Sequence, residues 1–377
     1  MHILVVGGGT GGTILANNLA RRLAPEIRKK KVSLTLLSAS DRHMYQPGLL
    51  YVAFGEMSVD ELYRDEASLL SSHIDFHVDP VETFRLDQNE VLTRSGQTYE
   101  YDILVIATGS RIVPDQVPGL KEGAETFYTE AAALKLFQRL REFEGGTIAV
   151  TVDVPHKCPI APVELIFLLH DYFKLRKIRD KVHIKYHYPI GRIHTIANVA
   201  KWAKPEFDRM NIEYETLFNM KEVDVENKVV RSEEGTETNY DLLIAVPPHR
   251  GMAVIEHNQL GVGGWIPTDR YKLTMDGHDN VYVLGDTTNL PVSKTGSAAH
   301  FEAEVVAENI AAVVKIGSPV RDYDGKVYCF IEAGHDRATY AMFDYSNPPD
   351  LKPASKPMHW FKVAYNQMYW NSVRGLL

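Results

Sequence analysis

The first twelve residues constrain the fold of this chain more than any other segment. They read Met1-His-Ile-Leu-Val-Val-Gly7-Gly-Gly9-Thr-Gly-Gly12, an apolar run followed at once by a G-x-G-x-x-G turn and then by a helix-compatible stretch, residues 13–23. In such a unit Gly7 permits the tight turn, Gly9 lets the backbone approach a pyrophosphate, and Gly12 allows close helix packing. The helix N-terminus supplies amide donors to the pyrophosphate. The sequence therefore predicts a Rossmann-like lobe that binds a dinucleotide.

The end of the second predicted strand departs from the usual dinucleotide pattern. Residues 32–37 are followed by Ser38, where an acidic residue usually binds the ribose hydroxyls. A serine hydroxyl can still hydrogen-bond a ribose, and Asp41 lies near. We therefore expect an altered ribose site with Ser38 as a cofactor ligand.

Repeated strand patterns predict an α/β fold with two Rossmann-like lobes. Residues 101–109 form an apolar strand closed by Ala-Thr108-Gly109, where small side chains would let a strand end lie against a dinucleotide, and residues 240–248 echo this pattern. The predicted domains are residues 1–110 (first part of the dinucleotide lobe), 111–250 (second lobe), 251–321 (return to the first lobe) and 322–377 (a C-terminal α/β and helical segment).

The returning segment carries a second group of candidate cofactor ligands. An apolar strand ends in Gly285-Asp286, and Lys294 and Gly296 precede a predicted helix, residues 298–316. In a flavoprotein, Asp286 would bind the ribityl or phosphate region, while Lys294 and the helix N-terminus would stabilise negative charge on the flavin. The alternative is that Asp286 only caps a helix.

The second lobe has a thiol where a second dinucleotide turn would stand. The strand at residues 147–152 leads into Asp153-Val-Pro-His-Lys-Cys158-Pro-Ile-Ala-Pro-Val-Glu164, whose prolines remove backbone flexibility and donors. An NAD(P)H site is therefore disfavoured. Structural disulfides are rare in a reducing compartment, which favours a redox or reactive role for Cys158 and Cys329, with two unrelated buried thiols as the alternative.

Composition narrows the possible partners and locations. The chain has 377 residues, 45% hydrophobic content and a formal net charge of −8, which is typical of a globular protein and makes nucleic acid an unfavourable partner. Neither a bilayer-spanning run of 18 apolar residues nor a metal-binding pattern is evident. Because the dinucleotide turn begins at residue 7, we expect synthesis without a signal peptide.

The C-terminal segment is predicted to be a helix with an apolar stripe. Aromatic and aliphatic residues recur at positions 360, 361, 364, 365, 368, 369 and 373, and Lys362, Asn366 and Arg374 lie off the stripe. Two interpretations stay open. The helix faces the core or a second copy of the chain, or it lies in a membrane interface with Lys362 and Arg374 reaching head groups.

Together these motifs resemble the sulfide:quinone oxidoreductases and the related flavocytochrome c sulfide dehydrogenase flavoproteins. They include Pro-x-x-Lys-Thr-Gly at 291–296, and the most specific are the two cysteine contexts, Lys-Cys-Pro at 157–159 and Tyr-Cys-Phe at 328–330. The resemblance covers nearly the whole chain. It implies FAD in the first lobe, sulfide oxidised to sulfane sulfur or polysulfide by a Cys158/Cys329 pair on one flavin face, and a membrane quinone at the other.

The resemblance also implies roles for individual residues. Cys329 would be the cysteine nearer the flavin, and Cys158 would carry the incoming sulfur. Glu164 matches an acidic residue associated with proton handling. His194 matches a sulfide-side histidine, although a structural histidine is the alternative. Phe330, Gly296 and Phe361 would border the quinone pocket.

One departure from the family pattern and several rival functions accompany the resemblance. Many members have a third cysteine where this chain has Tyr128, which leaves the route of polysulfide release in doubt. The rivals are a flavoprotein that reduces a cytochrome c, a type II NADH:quinone oxidoreductase, and a non-catalytic flavoprotein subunit of a sulfur-metabolising complex. We also expect attachment to a membrane surface and allow for a homo-oligomer.

Overall fold

A computed structural model describes residues 1–376 of the chain, and strands and helices alternate along most of it. The α-helices are α1 (Thr10–Arg22), α2 (Ala24–Arg28), α3 (Gly48–Phe54), α4 (Leu120–Gly123), α5 (Glu130–Glu142), α6 (Ala161–Leu175), α7 (Ala197–Arg209), α8 (Ala253–His257), α9 (Gly296–Ile316) and α10 (Lys356–Val373). The strands of the first half are β1 (His2–Val6), β2 (Ser33–Ser38), β3 (Arg42–Met44), β4 (Tyr63–Asp65), β5 (Asp75–Val78), β6 (Val81–Arg85), β7 (Glu90–Thr93), β8 (Thr98–Glu100), β9 (Ile103–Ile106), β10 (Ser110–Ile112) and β11 (Gly146–Val152). Those of the second half are β12 (Val182–Tyr188), β13 (Glu213–Thr216), β14 (Met220–Asp224), β15 (Val229–Ser232), β16 (Glu237–Asn239), β17 (Leu242–Val246), β18 (His249–Gly251), β19 (Thr274–Met275), β20 (His278–Val283), β21 (Val327–Glu332) and β22 (Ala338–Phe343).

The first lobe is built on a six-stranded sheet with the order β19-β20-β9-β1-β2-β5. Its pairs are parallel except for β19 with β20. The strands β1 and β9 are almost entirely buried, as expected of parallel strands covered on both faces. Because β20 pairs with β9, the chain returns to the first lobe after leaving it, in the manner that the sequence predicts.

The second lobe repeats the plan with a four-stranded parallel sheet, β13-β12-β11-β17. Its strand β11 leads through the Cys158 segment into α6, whose apolar residues form much of the core. A two-stranded ribbon, β10 with β18, lies at the two chain crossings between the lobes. This placement supports our proposal that domain boundaries lie near residues 110 and 250.

The C-terminal segment pairs β21 with β22 in an antiparallel hairpin, on which α10 packs. Ser355 caps α10, since its hydroxyl accepts a hydrogen bond from the Met358 amide. Within residues 1–376, no helix combines the length and apolar character needed to cross a membrane.

The predicted stripe on α10 divides between two faces of the helix. Tyr369 and Val373 turn inward, whereas an outer face is exposed and consists of Trp360, Phe361, Ala364, Tyr365 and Met368. Lys362 is buried, so the expectation that it reaches lipid head groups is wrong. The reason is that α10 packs through a mixed face, in which a buried lysine finds carboxylate partners.

Candidate functional site

The turn after β1 has the geometry of a dinucleotide cradle. Gly7 has a φ of +117°, and a Cβ there or at Gly12 would collide with main-chain carbonyl atoms. A Cβ at Gly9, which caps α1, would meet no protein atom within 4 Å. Protein packing thus explains Gly7 and Gly12 but not Gly9, whereas a pyrophosphate beside the helix N-terminus explains it. The turn fits the FAD that the sequence predicts.

Ser38 is buried at the end of β2, against the same turn. Its Oγ accepts a hydrogen bond from the Ser40 amide and lies 2.7 Å from the place that a Cβ of Gly8 would take. A carboxylate is close by after all, because Glu66 is completely buried beside Gly8. Sequence reasoning missed Glu66, since it stands in a loop with no motif around it.

Glu66 belongs to a buried hydrogen-bonded chain that joins the cofactor turn to α10. It accepts from the Thr13 hydroxyl at 2.6 Å and pairs with His43 Nδ1 at 2.7 Å. On its other side, His43 Nε2 lies 2.7 Å from the Tyr369 hydroxyl, which lies 2.8 Å from Thr10 Oγ1. We call Thr10, Thr13, His43, Glu66 and Tyr369 the α1–α10 network. It ties the C-terminal helix to the first turn of α1.

The ends of β9 and β20 meet beside this cradle, as two candidate cofactor segments should. Thr108 donates to Thr287 Oγ1 at 3.2 Å, and Ser110 donates to Asp286 Oδ2 at 2.8 Å. Gly109 and Gly285 have positive φ values of 78° and 77°. The helix-capping alternative for Asp286 is wrong, because Thr295 caps α9.

Two charged residues stand behind the Gly285-Asp286 turn. Glu302 of α9 accepts the Gly285 amide, and burial raises its pKa to about 7. Sequence reasoning missed Glu302, which stands within a long apolar helix. Lys294 donates to the carbonyl oxygens of Asp286 at 2.9 Å and Thr288 at 2.6 Å. Its ammonium therefore braces this loop and has further capacity for a hydrogen bond towards a cofactor.

The two cysteines come together although they are remote in sequence. Both pack against a small apolar cluster that includes Ile160 and Ile331, and both are free thiols. Cys158 has a φ of +52°, and its amide donates to the Lys294 carbonyl at 2.7 Å, which anchors its loop to the first lobe. It lies two residues before the N-cap of α6, and Cys329 of β21 lies beside the Thr295 hydroxyl at the N-cap of α9.

Burial and nearby groups shift the pKa of the two thiols in opposite directions. Burial and the Glu164 carboxylate raise the pKa of Cys158 to about 12, against a hydrogen bond from the Ala161 amide. Burial, Cys158 and Glu164 also raise the pKa of Cys329, and the Thr295 hydroxyl opposes them. Both groups are thus thiols at neutral pH in this reduced form. The two helix N-termini supply donors for a thiolate once one forms.

A buried ion cluster lies next to the cysteines. Glu164, in the first turn of α6, accepts the Glu332 amide at 2.8 Å and pairs with Lys362 of α10. Glu332 lies 3.9 Å from Lys362 Nζ and pairs with His359 at 3.1 Å. Burial would lower the pKa of Lys362, but the charges of Glu164, Tyr51 and Glu332 raise it well above its ordinary value. Sequence reasoning found Glu164 and missed its partners.

His194 is buried with both ring nitrogens used by the backbone. Its Nε2 donates to the Pro159 carbonyl at 2.9 Å, and its Nδ1 accepts from the Ile196 amide at 2.9 Å. Burial lowers its pKa to about 4. It holds the residue that follows Cys158, which favours the structural interpretation over a direct chemical role.

An aromatic cluster of residues from β21, β22 and α10 lies beside Cys329. The Phe330 ring lies 5.0 Å from Tyr328 and 5.3 Å from Tyr365, measured between ring centroids, and Tyr340 stacks on Tyr328 at 5.6 Å. The three tyrosines were not among the predicted quinone contacts. Of those that were, Gly296 begins α9, and Phe361 points outward from α10 with 64% of its surface exposed.

Comparison with known proteins agrees with this architecture. Residues 1–151 match the model of the pyridine nucleotide-disulphide oxidoreductase family. The mitochondrial sulfide:quinone oxidoreductase of Dictyostelium discoideum is 30% identical, with 98% of this chain and 85% of that protein covered. The mitochondrial enzyme of the same name from Mus musculus is 27% identical, with 92% and 79% covered.

A solved structure has the same fold over nearly the whole chain. The sulfide:quinone oxidoreductase of Aquifex aeolicus superposes with a TM-score of 0.87 at 24% identity, and the match covers 99% of this chain and 91% of that one. The predicted fold class is thereby confirmed. With the Dictyostelium match, these findings show that the chain belongs to the sulfide:quinone oxidoreductase family and is an FAD-dependent oxidoreductase.

Proposed function

We propose that this chain oxidises sulfide through Cys158 and Cys329 and that the electrons pass by way of FAD to a quinone. The observation that carries the proposal is the meeting of the two cysteines between the N-termini of α6 and α9. In the second lobe, a thiol stands where a dinucleotide turn would otherwise begin a helix. Family membership supports the same chemistry, since the relatives are named for sulfide and quinone.

The residues divide the sulfur chemistry between them. Sulfide attacks a Cys158–Cys329 disulfide as hydrosulfide, formed by loss of one proton from hydrogen sulfide, which leaves a persulfide on Cys158 and a thiolate on Cys329. The Thr295 hydroxyl and the N-terminus of α9 stabilise that thiolate. Bound FAD supplies a two-electron acceptor. Gly7, Gly9, Gly12, Ser38, Thr108, Asp286 and Lys294 would hold it, by the contacts described above.

The aromatic cluster and the ion cluster suit the quinone side of the reaction. Tyr328, Phe330 and Tyr365 offer flat apolar faces to a quinone ring. Quinone reduction consumes two protons, and the ion cluster provides Lys362 beside Glu164, with Glu332 leading on to the half-buried His359. A proton could reach the cluster from solvent through these groups.

The exposed face of α10 supports attachment to a membrane. Trp360 and Phe361 are 68% and 64% exposed, and the face runs through Tyr365 into the aromatic cluster. A quinone leaving a bilayer could thus enter directly under α10. Of the basic residues predicted to reach head groups, Arg374 is exposed and remains available.

The visible spectrum tests the redox assignment. Anaerobic sulfide should bleach the flavin bands of the purified protein, NADH should not, and a quinone should restore them. Cys329→Ser should keep its FAD and lose bleaching by sulfide. Undiminished bleaching in that variant, or bleaching by NADH alone, would refute the proposal.

The test of membrane attachment requires point substitutions instead of a truncation. Deleting α10 would break the α1–α10 network and disturb the cofactor turn. Trp360→Ser with Phe361→Ser should instead reduce sedimentation with quinone-containing liposomes and leave bleaching by sulfide intact. Leu175→Ser with Ile316→Ser, which removes two equally exposed apolar side chains elsewhere, is the control. Equal loss in both double variants would argue against a specific membrane face.

A further inference from the structure

Two buried histidines near Cys158 each leave one ring nitrogen without a partner. His156 precedes Cys158 by two residues, and His249 begins β18 at the crossing between the lobes. Both residues are buried, with only 4% and 3% of their surface exposed, and their ring centroids lie 6.3 Å apart. Neither Nε2 atom has a hydrogen-bond partner among the residues that the structure describes. Sequence reasoning singled out neither residue.

The hydrogen bonds of the other nitrogens fix the tautomer of both rings. His156 Nδ1 lies 3.1 Å from the Lys157 carbonyl, and His249 Nδ1 lies 2.8 Å from the Pro247 carbonyl. A carbonyl oxygen can only accept, so each Nδ1 must carry the proton. Each Nε2 is then a bare lone pair, which is an acceptor and a base.

Neither Tyr128 nor Lys157, which neighbour these rings, donates to an Nε2 atom. Tyr128 packs edge-on against His249 with ring centroids 4.7 Å apart, but its hydroxyl donates to the Lys157 carbonyl at 3.1 Å. The Lys157 ammonium donates to Gln46. A buried acceptor without a donor destabilises the fold, so two of them in one cluster indicate a ligand that brings donors.

The charge state of the cluster selects a neutral donor. Burial lowers the pKa of His156 to about 4, and burial together with Lys157 and His156 lowers that of His249 to about 3. Each ring is therefore neutral at neutral pH, with its single proton on Nδ1 and none on Nε2. Burial and then the Cys158 charge raise the pKa of Tyr128, and its hydroxyl donates to the carbonyl of Lys157, the residue directly before Cys158.

We propose that His156 and His249 form the docking site for neutral hydrogen sulfide, with their Nε2 atoms accepting its S–H groups. The inference rests on the function proposed above. As the sulfur forms a bond to Cys158, one S–H proton passes to an Nε2 atom, the Cys158–Cys329 bond breaks, and its electron pair leaves on Cys329 as a thiolate. His194 cannot serve in this way, because the backbone occupies both of its nitrogens.

Asparagine substitutions remove the proposed acceptors and preserve the local structure. In His156→Asn and His249→Asn the side-chain amide can replace Nδ1–H and keep the bond to the carbonyl, while the Nε2 atom is lost. The control is His187→Asn, which changes an equally buried histidine whose two nitrogens already bond Thr151 and Thr238. In His249→Gln the amide oxygen can return an acceptor to the position of Nε2.

The measurement is anaerobic stopped-flow bleaching of the flavin over a series of sulfide concentrations. Loss of one hydrogen bond should raise the half-saturating concentration about tenfold in each Asn variant. The limiting rate should also fall, His187→Asn should match the wild type, and His249→Gln should recover part of the loss. FAD content and quinone reoxidation of dithionite-reduced protein should not change.

Three outcomes would overturn the inference. Unchanged half-saturation in both Asn variants would mean that the nitrogens hold structural water or nothing. Loss of FAD from these variants, but not from His187→Asn, would assign the nitrogens to the cofactor. If sulfide does not bleach the flavin of the wild-type protein, the proposed function itself is wrong. This outcome is distinguishable from the other two, because it is seen without any variant.

Discussion

The strongest single test of the site is the replacement of Lys362 by methionine. Lys362 and Glu164 have side chains only 9% and 8% exposed, and Glu332, 2% exposed, lies beside them. Methionine fills a similar volume without the charge, so the two carboxylates would face each other in a buried site. Breaking a buried ion pair from one side costs about 3–5 kcal/mol. Because Lys362 serves two carboxylates, we expect a loss of unfolding free energy near the upper end of that range.

Urea unfolding of the FAD-loaded protein, followed by far-UV circular dichroism and by flavin release, measures this loss. The matched control is Lys356→Met, on the same helix, because Lys356 also pairs with a carboxylate, Asp336, at 2.8 Å. That pair is 70% and 58% exposed, so its removal should cost less than about 1 kcal/mol. The double variant Lys362→Met with Glu164→Gln should recover much of the loss, since it removes a buried carboxylate along with its partner.

The two cysteines provide a second readout. The positive charge of Lys362 lowers the pKa of both thiols, so its removal should raise both pKa values. Alkylation of the reduced protein at mildly alkaline pH should then be slower, because less thiolate is present. A Lys362→Met variant within 1 kcal/mol of the wild type, or a double variant no more stable than the single one, would refute the buried ion cluster.

Three further predictions follow from the cofactor turn, the α1–α10 network and the buried histidines. Gly9→Leu should yield colourless protein with near-normal circular dichroism, because its Cβ meets no protein atom within 4 Å and its side chain would occupy the pyrophosphate position; full flavin retention would count against the assignment. Tyr369→Phe should cost about 1–3 kcal/mol in urea unfolding and speed FAD release, by leaving His43 Nε2 and Thr10 Oγ1 without the Tyr369 hydroxyl, whereas Tyr271→Phe at an exposed site should not. Burial lowers the pKa of His156, His187 and His194 to about 4, below the value of about 6.5 in the unfolded chain. The stability that each contributes is therefore present above pH 6.5. It is lost as the pH falls towards 4, by up to about 1.4 kcal/mol per pH unit. Urea unfolding at pH 7.5 and 5.5 should show this slope, and an equal slope in His187→Gln would exclude that residue as a source.

The sequence predicted the parts of the molecule that local rules determine. The Gly7 turn, the apolar parallel strands and the helix after residue 296 each have a short-range cause, and all three are found where expected. The Cys158 context was also recognisable, because a thiol flanked by prolines stands between β11 and α6 where a glycine turn would be expected. Such features depend on neighbours in the chain and so can be read without the fold.

The residues that sequence reasoning missed depend on contacts between distant segments. Lys362 looked like a surface residue because nothing near it in sequence reveals Glu164 or Glu332, which reach it from α6 and β21. Likewise, the orphan nitrogens of His156 and His249 become visible only once the backbone acceptors of their Nδ1 atoms are known. The helical stripe gave the period of α10 correctly but not the face that packs, since a buried polar face and a solvated one have the same spacing.

The second lobe keeps the strand–turn–helix plan of the first and gives the helix N-terminus another use. In the first lobe, α1 has Gly9 as its N-cap, where open space and the amides of the first helical turn suit a pyrophosphate. In the second, α6 begins three residues after Cys158. The Cys158 amide donates to the Lys294 carbonyl, and the Ala161 amide donates to the Cys158 carbonyl at 2.9 Å and lowers the pKa of the Cys158 thiol. The helix N-terminus, which in the first lobe would hold a phosphate, thus lies beside a cysteine in the second lobe and can stabilise its thiolate. With Cys158 and its flanking prolines in place of glycines, the second lobe thus presents a sulfur where the first presents open space for a phosphate, and the Lys294 carbonyl anchors the Cys158 segment to the first lobe.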